Sequence, residues 1–144
     1  MSGKSPNSTI ELIEAAPSPE DYLRLRAAGG LSAFTLEAAR IGAGGALHSV
    51  QLRRDDETVG MGRIIGDGGC MFQIADIVVL PELQGQGLGK RIMAALMDWL
   101  EANAPKGAFV SLIADLPADQ LYAKFGFTGL GDASIGMETR VGRR

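Results

Sequence analysis

The stretch between Pro81 and Lys90 holds the residues whose types and spacing most clearly suggest chemistry. Gly85, Gly87 and Gly89 alternate there, at the point where an apolar strand pattern gives way to a helical pattern. Glycine reaches positive φ angles and lets a ligand approach the backbone closely. The first turn of a helix adds unpaired N–H groups and the positive end of the helix dipole, which together favour phosphate. The stretch therefore predicts an anion site.

Two basic residues follow the glycines. Lys90 and Arg91 fall in the first turn of the predicted helix, where a cation is normally unfavourable by about 0.3–1 kcal/mol. A bound anion would reverse the sign of that effect. For Arg91, a side chain that points into water is an equally good explanation.

The glycine spacing does not fit two common phosphate-binding loops. A dinucleotide-binding fingerprint, G-x-G-x-x-G, would need its third glycine where Lys90 stands, and no second βαβ half is present. A Walker loop would need a glycine at Gln84 and a hydroxyl residue at Arg91. The pattern that remains is Q-x-x-G-x-G, formed by Gln84, Gly87 and Gly89.

Composition narrows the remaining classes of function. The chain has 144 residues, the size of one domain, and a net charge of −3, which argues weakly against nucleic acid and anionic lipid as partners. No run is long and apolar enough to span a membrane. With Cys70 as the single cysteine and His48 as the single histidine, neither an internal disulfide nor a zinc site is expected, which fits a cytoplasmic protein. Cys70 is interpreted as a small strand residue.

The order of elements predicts a mixed α and β fold, with hairpins first and a strand-helix-strand unit later. Residues 1–8 are polar and are expected to be a disordered tail, followed by one domain over residues 9–144. Ser18 and Thr35 are expected to cap the first two helices. The predicted strands are 9–15, 47–53, 58–65, 70–80, 108–113 and 137–141, and the predicted helices are 19–28, 36–41, 87–102 and 117–124.

Two motifs in this order resemble those of a known family. Residues 76–89, including Val79-Leu80-Pro81 and the Q-x-x-G-x-G pattern, resemble the acetyl-CoA motif of the GNAT N-acetyltransferases. Residues 121–127, Leu-Tyr-Ala-Lys-Phe-Gly-Phe, resemble that family's later L-Y-x-K-x-G-F motif. The resemblance implies a three-layer α+β fold whose mostly antiparallel sheet splays at the cofactor strand and is flanked by helices. It also implies an acetyl-CoA-dependent enzyme.

The resemblance assigns the cofactor contacts residue by residue. The pantetheine arm of coenzyme A would pair with the backbone of Ile77, Val78 and Val79, and the thioester would enter between that strand and strand 108–113. The remaining cofactor-binding residues implied are Gln84, Gly85, Gln86, Gly87, Leu88, Gly89, Lys90 and Asp115. Asp115 stands where the family often has an asparagine.

The resemblance also implies that Tyr122 donates a proton to the departing thiolate of coenzyme A. A tyrosine hydroxyl, with an ordinary pKa near 10, is protonated at neutral pH. Asp76 is the best acid near the site for the general base. By strand alternation Asp76 faces away from Ile77, an orientation that a bulge would reverse. A structural role for Asp76 is therefore favoured as much as a role as the base. A water chain is an alternative base, and His48 is expected to be structural.

The function that follows is transfer of an acetyl group to a primary amine by direct attack on the thioester. A non-catalytic acyl-CoA-binding regulatory domain is the alternative. The acceptor could be a small molecule, for which the acidic net charge slightly favours cationic amines, or an amine of a protein. Members of the family often dimerise, and the sequence leaves a homodimer open.

Overall fold

A five-stranded sheet forms the centre of the protein in a computed structural model that describes residues 9–142. The predicted tail, residues 1–8, lies outside the described residues. The strands run in the order β1-β2-β3-β4-β5, and every neighbouring pair is antiparallel except β4 and β5, which are parallel. Their bounds are Ile10–Ile13 (β1), His48–Arg54 (β2), Glu57–Gly66 (β3), Met71–Val79 (β4) and Phe109–Leu112 (β5).

Helices begin where the capping signals predict. Helix α1 (Pro19–Ala28) begins after Ser18, whose hydroxyl accepts the backbone N–H of Asp21, and α2 (Leu36–Gly42) begins after Thr35, which caps in the same way. Helix α3 (Leu88–Asn103) follows the glycine loop after a 3₁₀ turn at Pro81–Leu83. The predicted mixed α+β fold with a mostly antiparallel sheet and flanking helices is confirmed.

Helices α1 and α3 cover opposite faces of the sheet. A Cβ atom built on Gly62 of β3 would point at Ile92 and Leu96 of α3. The next residue, Arg63, instead hydrogen-bonds to Tyr22 of α1. Because successive strand residues point to opposite faces, β3 lies between the two helices.

A bulge interrupts β4 next to Gly62. Met61 pairs with Val78 and Arg63 pairs with Ala75, so that Gly62 alone faces both Asp76 and Ile77. Asp76 adopts a φ of 59°, which is uncommon for a residue other than glycine. The bulge therefore lies at the strand that carries the predicted pantetheine contacts.

The chain divides into two compact units, Met1–Leu112 and Ile113–Arg144. In the second unit the helix α4 spans Asp119–Ala123, which is shorter than the predicted 117–124. The predicted strand at 137–141 does not form in the described chain, since residues 124–142 contain no strand. A strand needs a neighbour for its N–H and C=O groups, and the strand ladders of residues 9–142 include none with this segment.

We expect Gly62→Ala to destabilise the protein by about 1–3 kcal/mol, because the new methyl group would overpack the sheet against α3. Its Cβ would lie 2.6 Å from Ile92 Cγ2 and 2.7 Å from Ile77 Cδ1. Gly44→Ala is the matched control, since a Cβ there meets nothing within 4 Å. Chemical denaturation of both variants measures the effect, and equal midpoints would show that Gly62 is not sterically required.

Candidate functional site

The glycine loop has an open backbone cradle. Gly85 and Gly87 have φ angles of 83° and 78°, and a Cβ at either position would meet nothing within 4 Å. Buried Leu83 fixes one end of the loop in the core, and the side-chain amide of Gln84 donates to the carbonyl oxygen of Val79 at 3.1 Å. The loop is thus tied to β4 while its glycines face open space.

The N-terminus of α3 lies at this cradle and lacks the usual protein partners. Gly87 occupies the capping position and offers no side-chain cap, and no acidic residue lies in the first turn. The intrahelical hydrogen bonds begin with that from the N–H of Arg91 to the carbonyl of Gly87, at 3.1 Å. The three earlier N–H groups, those of residues 88–90, are therefore placed to receive an anion from outside the helix.

The two basic residues of the first turn take different positions. Lys90 is exposed, whereas the guanidinium of Arg91 donates to the backbone carbonyl of Ile10 in β1 at 3.1 Å. Arg91 therefore joins the helix to the edge strand. Lys90 is the cation that is available to a bound phosphate.

The second half of β4 has an open edge within the first unit. The β4–β5 ladder ends at the pair Ile74–Leu112, while β4 continues to Val79 with β3 as its partner. The N–H of Leu80 donates to Val59 on the β3 side. By alternation, the backbone N–H and C=O of Val79 point to the opposite edge, where the carbonyl also accepts from the side chain of Gln84. An extended ligand could therefore form hydrogen bonds along that edge.

Asp76 is a buried anion held by three side chains. Its carboxylate is ion-paired with Arg26 of α1, and its Oδ2 accepts from Arg63 Nε at 2.7 Å and from the hydroxyl of Tyr22 at 2.7 Å. The Asp76 side chain is only 7% exposed. Asp76 faces α1, whereas Ile77 faces α3, as strand alternation predicts despite the bulge.

The same cluster extends to the connections around α2. Arg26 also donates to the carbonyl of Ser32, and Arg63 donates to the carbonyl of Gly42 at 2.7 Å. Burial and the hydrogen bond to Asp76 raise the pKa of Tyr22, so its hydroxyl remains a donor at neutral pH. Tyr22, Arg26 and Arg63 were not predicted from the sequence. The one signal for Arg63 was an arginine within an apolar strand pattern.

Tyr122 and Asp115 both belong to the second unit. The Tyr122 side chain is buried, and Asp115 is exposed. Burial raises the pKa of Tyr122, and the negative charge of Asp115 raises it further. Tyr122 is therefore a protonated phenol at neutral pH, which is the state that a proton donor requires.

His48 is part of the packing. Its ring stacks on Trp99 of α3 with centroids 5.2 Å apart, and its Nε2 lies 3.3 Å from a carboxylate oxygen of Glu14. Between residues 9 and 142, no group of three or more His, Cys, Asp or Glu side chains could hold a metal ion. In the same residues, no helix is long and apolar enough to cross a membrane.

Comparison with known proteins identifies the family. The model of the acetyltransferase (GNAT) domain matches residues 31–136, which include parts of both compact units. A protein of unknown function from meticillin-resistant Staphylococcus aureus, described as a probable acetyltransferase, is 45% identical with a TM-score of 0.88 over 92% of this chain and 99% of that one. A GNAT family acetyltransferase from Streptococcus pneumoniae is 25% identical with a TM-score of 0.72 over 94% and 100% of the two chains.

A more distant structure shares the fold alone. Glucosamine-6-phosphate N-acetyltransferase from Arabidopsis thaliana is 18% identical with a TM-score of 0.64, over 92% of this chain and 99% of that one. A search of curated protein sequences finds no match. The chain belongs to the GNAT acetyltransferase family. It is accordingly an acyltransferase of the N-acetyltransferase class, and the resemblance found in its sequence motifs is confirmed.

We expect Asp76→Asn to destabilise the protein by about 3–5 kcal/mol, because it leaves Arg26 and Arg63 without their buried counter-charge. Asp21→Asn is the matched control, since Asp21 and its partner Arg24 are each 40% exposed and such pairs contribute at most about 1 kcal/mol. Urea denaturation at neutral pH compares the two losses. If Asp76→Asn lowers the free energy of unfolding no more than Asp21→Asn does, the structural role of the Asp76 carboxylate is contradicted.

Proposed function

We propose that this protein transfers the acetyl group of acetyl-CoA to a primary amine by direct attack of the amine on the thioester. The observation that carries the proposal is the continuity of the open β4 edge, the glycine cradle and the uncapped N-terminus of α3. An extended arm can pair with a strand edge, and a pyrophosphate suits a helix N-terminus. One ligand with both parts is coenzyme A.

The residues present fit that ligand. The backbone of Ile77, Val78 and Val79 would hold the pantetheine arm, and the amides of residues 84–89 would hold the pyrophosphate with Lys90 beside them. Both roles use backbone groups rather than side chains. The open space beside Gly85 and Gly87 leaves room for the pyrophosphate. The motif resemblance adds Asp115 to the cofactor contacts, in place of the family's asparagine.

Acetyl-CoA supplies an activated acyl carbon, so that no residue of the chain has to act as a nucleophile. Tyr122 is proposed as the general acid that donates its phenolic proton to the thiolate sulfur as the carbon–sulfur bond breaks. The raised pKa of Tyr122 keeps that proton in place at neutral pH.

Removal of the amine proton is assigned to water rather than to Asp76. Both alternatives for Asp76, base or structural residue, follow from the sequence. The contacts favour the structural one, because both oxygens of the carboxylate already accept from buried donors. The acceptor itself is either a small-molecule amine or an amine of a protein.

The first test is thermal unfolding with and without acetyl-CoA, with AMP as a control ligand. Acetyl-CoA at a hundred times its Kd should stabilise the native state by about 2.7 kcal/mol.

Gly87→Ala should weaken binding of acetyl-CoA at least tenfold, because its Cβ would enter the space that the pyrophosphate needs. Gly107→Ala is the matched control, with a similar φ of 85° and equally open surroundings.

No stabilisation of the wild-type protein at saturating acetyl-CoA would overturn the proposal. Equal affinities of the Gly87 and Gly107 variants would instead remove the glycine cradle from the binding site. Because both substitutions place a Cβ at a positive φ, a difference between them cannot come from backbone strain alone.

The second test is Tyr122→Phe, which should lower kcat by about 10²–10⁴ while acetyl-CoA affinity is kept. Tyr22→Phe is the control, since it removes the other tyrosine hydroxyl of the chain, which serves the Asp76 cluster. Thiol release in the presence of a panel of amines measures both variants. Binding of acetyl-CoA with no turnover of any amine by the wild-type protein would favour the non-catalytic acyl-CoA-binding domain.

The pH profile provides a further readout for Tyr122. Because its pKa is raised above the ordinary value of 10.0, the alkaline fall in kcat should lie above pH 10. Asp115→Asn removes a negative charge that disfavours the tyrosinate, so the fall should move to lower pH. An alkaline limb that does not move in this variant would argue against Tyr122 as the acid.

A further inference from the structure

Four side chains of β4 and β5 form a surface just before the ladder between these strands ends at Ile74 and Leu112. Phe72 of β4 packs edge to face against Trp99 of α3, so the residues before and after it face the side of the sheet that α1 occupies. Their register partners in β5 share that orientation. The four residues, here called the β4–β5 surface, are Met71, Gln73, Phe109 and Ser111.

The β4–β5 surface combines a polar end with an apolar end. Gln73 and Ser111 form the register pair next to the end of the ladder, and both are partly exposed. Within residues 9–142, neither of their side chains makes a hydrogen bond to the protein. Met71 and Phe109 lie about 7 Å farther from the end of the ladder and are 58% and 50% exposed. A ligand that starts at the end of the ladder would meet hydrogen-bonding groups first and apolar side chains next.

The position of the β4–β5 surface suits the acceptor of the proposed reaction, on which this inference rests. The thioester would enter where the β4–β5 ladder ends, beside Gln73 and Ser111. On the other face of the sheet, Phe72 and Ile74 are buried on the side of α3. An amine can therefore approach the thioester along the β4–β5 surface.

The charges around this surface disfavour an acceptor with a second positive charge. None of the four side chains is charged. Arg63 lies on the same face, two residues before the register partner of Gln73 in β3, and it belongs to the Asp76 cluster, where two guanidinium groups surround one carboxylate. A second ammonium on the acceptor would be repelled by this excess positive charge and would lose water without gaining a counter-ion.

The carboxylate of Asp67, in the turn before Met71, does not change this balance. Its Oδ1 accepts the backbone N–H groups of residues 69–71 at 2.8–3.1 Å. These hydrogen bonds stabilise the charged form and lower the pKa of Asp67. Because the residue is exposed, water and salt also screen its attraction for a ligand.

We infer that the acceptor is a monoamine with an apolar tail, held by Gln73 and Ser111 at the amine and by Met71 and Phe109 along the tail. The amine N–H groups would donate to the side-chain oxygens of Gln73 and Ser111, which leaves the nitrogen lone pair for the thioester carbon. That lone pair forms the C–N bond of the amide, the electron pair of the C–S bond leaves with the thiol, and water takes the amine proton. The tail would remove apolar surface of Met71 and Phe109 from water.

The inference narrows the acceptor to one chemical class. The net charge of the whole chain slightly favours cationic amines, whereas the side chains next to the thioester favour a single amine on an apolar chain. The local groups decide, because the screening length in physiological salt is about 8 Å.

Two amines of equal length test the inference on the wild-type protein. Hexylamine ends in a methyl group, and cadaverine has a second ammonium in its place. We expect kcat/KM, measured by thiol release from acetyl-CoA, to be at least tenfold higher for hexylamine. A smaller preference, a preference for cadaverine, or binding of acetyl-CoA without turnover of hexylamine would overturn the inference alone. Absence of stabilisation by acetyl-CoA would overturn the proposed function with it.

One substitution locates the tail on the β4–β5 surface. Phe109→Glu should shift the ratio of the two kcat/KM values at least tenfold toward cadaverine, because the second ammonium then has a counter-charge. Ala102→Glu is the matched control, since it adds the same charge at an exposed position of α3, on the other face of the sheet, and should leave the ratio unchanged. An unchanged ratio in Phe109→Glu would overturn the inference, and Met71→Glu repeats the test if the Phe109 variant does not fold.

Discussion

The ion cluster around Asp76 connects several elements of the first unit at the bulge in β4. A bulge sets Asp76 at a positive φ, and burial of its carboxylate would be costly without the guanidinium groups of Arg26 and Arg63. Those arginines also bind the carbonyls of Ser32 and Gly42. One carboxylate thus links α1, both ends of the α2 region and two central strands.

That arrangement has a direct effect on the other face of the sheet. Because Asp76 is held toward α1, Ile77 points toward α3, where the missing side chain of Gly62 makes room for it. The β4–β5 ladder ends just before the bulge, at Ile74. The side chains of β4 therefore contact helices on both faces of the sheet, and beyond Ile74 its second edge has no strand partner within the first unit.

Local signals in the sequence predicted much of this fold. The caps at Ser18 and Thr35 and the strand-to-helix junction at the glycines depend on neighbouring residues, and they occur as expected. The partners of Asp76 could not be predicted in the same way, because Arg26 lies 50 residues away in the chain. The expected strand near Met137 failed for a different reason, since a strand pattern specifies a face but not the neighbour that covers it.

The packing of α3 determines how much order an incoming ligand has to impose. Ile92, Met93 and Leu96 are fully buried, so the helix is immobilised by the core and its N-terminus does not need to be positioned afterwards. Gly85 and Gly87 hold left-handed backbone angles. A phosphate that binds here would meet donors that already point toward it, and little conformational entropy would be lost on association. The packing of α3 in the core would in this way favour the binding of an anion at its N-terminus.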